Sequence, residues 1–119
     1  MAGFVLEGDH RHYIKNSLSF LSTNTSGAAS IAFSPDGNFL AVTERLTHDI
    51  DVFKVQADGT LSPIVINPSV GPGAFSIIFA PDGIALVSET GPANVSNCLE
   101  TCSVGFGGNR ASRTYMRAG

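Results

Sequence analysis

Four side chains carry the chemistry most worth placing: Glu44, Arg45, His48 and Glu89. Glu44 and Glu89 close two matching apolar runs, Leu40-Ala41-Val42-Thr43-Glu44 and Ala85-Leu86-Val87-Ser88-Glu89, each ending in a hydroxyl residue and an acid. Two carboxylates at the mouth of a shared channel could act as general acid and base, or hold a cation. Arg45 could steady a developing oxyanion, and His48 could move a proton. No motif assigns a catalytic residue, and a strand-ending acid is more often simply solvated, so these four are candidates for a ligand face.

Other reactive groups fall short of a site. His10-Arg11-His12 sets two imidazoles on one side of an extended segment, and Cys98 and Cys102 form a C-x3-C pair with every histidine upstream of it. A structural zinc needs about four ligands at characteristic spacing, so no metal is expected. The glycines at 71, 73, 105, 107 and 108 are followed by no helical pattern and no Lys-Ser or Lys-Thr. A phosphate-cradling loop requires both, and no cofactor is expected. Asp36, Asp58 and Asp82 each precede a glycine and are expected to cap turns, accepting backbone N–H groups.

Charge narrows the partners. The net charge is −3, and residues 1–104 carry ten acids against four bases. Phosphate backbones are bound by concentrated Lys and Arg, so a nucleic-acid partner is not expected. Arg110, Arg113 and Arg117 lie in a tail without acids, read as solvated. No run approaches the ~18 apolar residues of a membrane span, and no signal peptide is visible, which leaves the compartment unassigned. With 43% hydrophobic and 14% charged residues, the chain has material for a core.

The elements that must position these residues are announced by a repeat. Ser30-Ile31-Ala32-Phe33-Ser34-Pro35-Asp36-Gly37 recurs 46 positions on as Ser76-Ile77-Ile78-Phe79-Ala80-Pro81-Asp82-Gly83. A second thread recurs at 49 residues: Phe4-Val5-Leu6, Phe53-Lys54-Val55 and, fainter, Cys102-Ser103-Val104. Pro-Asp-Gly between apolar runs is hairpin chemistry, because Pro fixes φ and Gly supplies a positive one. Ala57-Asp58-Gly59-Thr60 makes a second such turn after Ile50–Val55, which alternates apolar and polar residues as a half-buried strand does.

The spacing predicts an all-β chain of β-propeller blades, each of four antiparallel strands, in an incomplete ring. Residues 28–67 make one full blade with strands at 28–34, 38–44, 49–55 and 60–67. Residues 3–22 are the end of a preceding blade, with strands at 3–7 and 12–21. Residues 74–104 begin the next, with strands at 74–80, 84–89 and 98–104. Together 1–104 form the partial propeller. Residues 105–119 lose the alternation and are expected to be an irregular tail. The turns at Pro35 and Asp58 share one end of the blade, which leaves the longer connections near Glu44, Arg45, His48 and Glu89 at the other.

The stretch Ala-Ser-Ile-Ala-Phe-Ser-Pro-Asp-Gly-Asn-Phe-Leu-Ala-Val-Thr-Glu at 29–44, followed by Asp-Val-Phe-Lys-Val-Gln-Ala-Asp-Gly-Thr-Leu at 51–61, resembles the repeat of the lactonase-like seven-bladed β-propellers. That family is similar to the YVTN-repeat propellers and includes proteins named for 6-phosphogluconolactonase and 3-carboxymuconate cyclase. The resemblance implies a ring of roughly 320–340 residues, of which this chain supplies about two and a half blades. The expected role is therefore that of a fragment or truncated member, a scaffold or ligand-binding section without catalysis of its own. The alternative is part of a lactone hydrolase or muconate cyclase-like enzyme. Partners expected are a small molecule or protein at the ligand face, and self-association through exposed blade edges.

Overall fold

Each Pro-Asp-Gly segment reverses the chain by the chemistry its residues carry. In the computed structural model, Gly37 takes φ +72° and Gly83 φ +87°, a region closed to most side chains. The Asp36 carboxylate accepts from the Ser34 hydroxyl at 2.6 Å and from the Asn38 amide at 2.9 Å. The Ser34 hydroxyl holds its pKa below the ordinary carboxylate value, with the Asn38 amide assisting. Asp58 and Asp82 accept the equivalent amides two residues on, those of Thr60 and Ile84. The three aspartates are turn caps, as expected.

Residues 1–91, 100–107 and 110–116 are described, the last two stretches as backbone. Their strands are β1 (Phe4–Glu7), β2 (His10–Tyr13), β3 (Ala28–Phe33), β4 (Phe39–Glu44), β5 (Asp49–Lys54), β6 (Val65–Pro68), β7 (Ala74–Phe79), β8 (Ile84–Glu89), β9 (Glu100–Gly107) and β10 (Arg110–Met116). They form a two-stranded sheet β1-β2 and two four-stranded antiparallel sheets, β3-β4-β5-β6 and β7-β8-β9-β10. The chain is all-β, an incomplete propeller in which a two-stranded hairpin precedes two four-stranded sheets.

Several boundaries differ from the expected ones. The last strand of the first hairpin is His10–Tyr13 and not 12–21, although Ile14 and Ser19 still donate to the Gly3 and Met1 carbonyls. The fourth strand of the full blade is Val65–Pro68, with only an isolated Val55–Leu61 bridge ahead of it. Arg110–Met116, expected to be irregular, pairs with β9 along its whole length. As the outer edge of its sheet it needs no apolar face, so no alternation marked it. The faint third copy of the 49-residue thread is also out of step. Val42 lies opposite Asp51 and its repeat counterpart Val87 lies opposite Cys102, so Cys102 holds the place of Asp51 and not that of Phe53.

The core lies between sheets. Ala41, Ile50 and Val52 from one blade meet Ala74, Ile77, Ala85 and Val87 of the next, all buried. Burying an Ile or Val side chain contributes about 1.5–3 kcal/mol. Two polar contacts lock the layers: the Thr43 hydroxyl donates to the Phe75 carbonyl at 2.7 Å, and the Ile77 amide donates to Ser30 Oγ at 3.4 Å. On the other side, Leu40, Val42 and Phe53 pack with Met1 and Leu21 from the leading segment. With cover on both sides, β5 is buried through Ile50–Phe53 instead of half-buried, which places Asp51 inside the molecule.

Candidate functional site

Four connections gather at the end of the blades away from the Pro-Asp-Gly turns: the approach to β3, the β4–β5 turn, the β6–β7 link and the exit from β8. Backbone bonds knit them. Arg45 and Leu46 donate to the Gly27 and Ser26 carbonyls, Ser69 donates to the His48 carbonyl, and Thr90 donates to the Gly73 carbonyl. All four sequence candidates are at this end, but they divide into two kinds.

Glu44 and Glu89 are 0% and 2% exposed. Glu44 receives the Ser22 amide at 2.9 Å, the Ser22 hydroxyl, and the Thr47 hydroxyl at 2.6 Å. Glu89 receives the Ser69 hydroxyl and the Gly71 amide, the latter at 2.8 Å. Each carboxylate thus clasps the connector that leads into its own blade. The two glutamates share no hydrogen-bond partner among the described residues.

Arg45 and His48 are exposed, on the β4–β5 turn. Arg45 Nε reaches Thr90 Oγ1 at 3.4 Å. His48 Nδ1 accepts the Gly73 amide at 2.9 Å, so the neutral ring carries its proton on Nε2 and offers it outward as a donor. His48 also holds φ +64°, an uncommon conformation for a residue with a side chain. A guanidinium and an imidazole N–H on one turn suit an anionic or oxygen-rich ligand.

One buried acid escaped the sequence reading. Asp51 is 0% exposed, on the same face as Glu44, and with both groups ionised neither of its oxygens finds a donor among the described residues. Burial, and then the neighbouring Glu44 carboxylate, push Asp51 up to about 8. Burial alone would raise Glu44 too, but hydrogen bonds from Asp51, Ser22 and Thr47 outweigh it and hold its carboxyl down at about 2. The two carboxyls therefore share a single proton, held on Asp51 and donated to Glu44. An acid inside an Ile-Asp-Val-Phe strand was the available signal, visible only once both faces of β5 are known to be covered.

Among the described residues no three His, Cys, Asp or Glu side chains converge as metal ligands. His10 and His12 are exposed on β2, where His12 Nε2 lies 3.6 Å from Glu7. Cys98 and residues 92–97 of the last connection lie outside the described residues. No described helix is long and apolar enough to cross a membrane.

Comparison with known proteins fits this architecture. The family model described as "Lactonase, 7-bladed beta-propeller" matches residues 12–90. No curated protein matches the chain. Solved structures that do match include the crystal structure of a putative 6-phosphogluconolactonase from Bacteroides uniformis, at 19% identity and a TM-score of 0.67. That match covers 94% of this chain and 32% of the other, so the chain spans about a third of that structure's length. At this identity the likeness is one of fold.

Proposed function

Because the chain belongs to the lactonase seven-bladed β-propeller family, we propose that it serves as a blade-forming section of such a ring, a scaffold with one ligand-facing turn and no catalysis of its own. The observation that carries this is a contrast between repeats. Ile77 is 3% exposed where a blade covers it, while Ile31, at the same repeat position, is 57% exposed. A section with an uncovered flank lacks the closed channel in which a small molecule is desolvated and positioned. Glu44 and Glu89, taken up by their connectors, act in this reading as joints. Arg45 and His48 supply the ligand contacts.

The test is hydrolysis of 6-phosphogluconolactone by the purified chain, with spontaneous opening of the lactone as the baseline. No turnover above that baseline is expected, and turnover by the chain alone overturns the scaffold role. A second reading, a section of a lactone hydrolase, draws support from the printed description of the matched structure, a putative 6-phosphogluconolactonase. In a complete ring that includes this section, Arg45→Ala and His48→Ala should then lower lactone hydrolysis. Unchanged rates in both would remove that alternative.

A further inference from the structure

The β1–β2 hairpin holds reactive groups that the ligand-facing turn does not use. Its strands join through Gly8 and Asp9, with Gly8 at φ +58°, and a two-residue turn of this kind fixes the pairing to one register. That register sets Glu7 opposite His10 and Val5 opposite His12 on one face, with Phe4 opposite Tyr13 and Leu6 opposite Arg11 on the other. The two faces differ in chemistry. Phe4 and Tyr13 meet edge to face with ring centroids 5.7 Å apart, whereas the Val5 face collects one carboxylate and two imidazoles at the tip of the hairpin. Arg11 belongs to the aromatic face, so its charge does not oppose a cation beside Glu7.

The sequence alone places two imidazoles on one side of a strand, which is two ligands and no site. Pairing adds the third. His12 Nε2 lies 3.6 Å from Glu7 Oε2, and the His10 and His12 rings stand with centroids 6.5 Å apart. The three side chains do not converge on one point as they stand. A metal with bonds of about 2.0–2.1 Å holds neighbouring ligand atoms about 3–3.5 Å apart. Glu7 and His12 already come near that separation, and rotation of His10 toward them completes the set. The side chains have room to turn, since every residue of β1 and β2 is exposed, His12 by 61% and Glu7 by 73% at the side chain.

We propose that Glu7, His10 and His12 bind one divalent transition-metal ion, of the class that imidazole and carboxylate together select, with water in the remaining position. The ion bridges the strands, because Glu7 comes from β1 and both histidines from β2. A two-stranded hairpin is marginal by itself in water, and this one buries no residue on either face. A chelate across both strands closes it at its tip, the end away from the Ile14–Gly3 backbone bond at its base. The site is separate from the Arg45–His48 turn and does not depend on the ligand role given to that turn.

The probe is Zn2+, titrated calorimetrically into the intact chain, with imidazole resonances and amide exchange followed alongside. One ion per chain is expected, with a dissociation constant on the order of micromolar. Resonances of His10 and His12 should move while those of His48 stay in place, and amide exchange should slow at residues 4–7 and 10–13. His10→Ala and His12→Ala should each weaken binding about tenfold or more, and Glu7→Gln about threefold to tenfold. All three positions are exposed, so the circular dichroism of each variant should match that of the parent. Absence of zinc binding overturns the proposal. Binding that His10→Ala and His12→Ala leave unchanged also overturns it, assigning the ion to the thiols of Cys98 and Cys102. Binding that needs the histidines but not Glu7, with no slowing of exchange, overturns it as well, because two imidazoles on one strand do not bridge the hairpin.

Discussion

Stability of this chain should fall as the medium turns alkaline, through Asp51. Unfolded, its carboxyl loses its proton near 3.8; folded, it keeps the proton up to about 8. Between those values the folded state binds more protons than the unfolded one, so the free energy of unfolding drops with rising pH, by up to about 1.4 kcal/mol per unit. Across the window from 3.8 to about 8, the limit is about 6 kcal/mol, and relaxation of the pair reduces this to about 2–4. Glu44 has the opposite sign. Its pKa drops from 4.5 to about 2 on folding, so its contribution is complete above 4.5 and is lost as pH falls through about 2. The pair together favours folding most near pH 4–5. Urea unfolding, followed by circular dichroism from about pH 5 to pH 9, measures the slope. Asp51→Asn is the decisive comparison, because its amide keeps a donor facing Glu44 at every pH. The wild-type midpoint should fall through this range while that of Asp51→Asn changes less, the variant becoming the more stable by neutral pH. Parallel curves would refute the shared proton.

Two further substitutions test the packing. Ile77→Ala should cost about 2–4 kcal/mol by opening a cavity between the blades, whereas Ile31→Ala, at the equivalent uncovered position, should cost under about 1 kcal/mol; urea midpoints decide, and equal losses would mean that the Ile31 face is covered in solution. Gly73→Ala should lower the melting temperature sharply, since Gly73 sits at φ +79° and an added Cβ would press on the Thr90 side chain and lie 2.8 Å from the Gly91 carbonyl.

The hairpins were legible because their turns are written in residues that do little else. Pro35-Asp36-Gly37 and Pro81-Asp82-Gly83 fix a direction change whatever surrounds them, and the apolar runs beside them are long enough to be strands. The position of Glu44 and Glu89 was legible too, being a matter of strand order. Their burial was not, because it depends on Ser22 and Ser69 arriving from connectors with no pattern of their own. Asp51 was misjudged for a related reason. Alternation of acid and aliphatic residues marks a strand, but says nothing about whether its polar side meets water or another layer. Arg110–Met116 went unread because an outer edge strand is held by main-chain bonds and can carry almost any alternation.

Recurrence itself separates the joints from the candidates for recognition. The Glu44 arrangement, an acid closing the second strand and bound to an amide and a hydroxyl of the incoming connector, returns at Glu89 with Ser69 and Gly71. A ring needs such a clasp at every blade, whereas a ligand needs a particular constellation once. Features without a counterpart are therefore the more informative ones. His48 has its left-handed backbone and outward N–H in a turn whose equivalent after Glu89 begins Thr90-Gly91, with no histidine before Cys102. Asp51 has Cys102 in its place. Glu44 consequently does two things at once. It is a repeated clasp on Ser22, and it is the acceptor for the proton on Asp51, which ties the first blade's hold on its connector to pH.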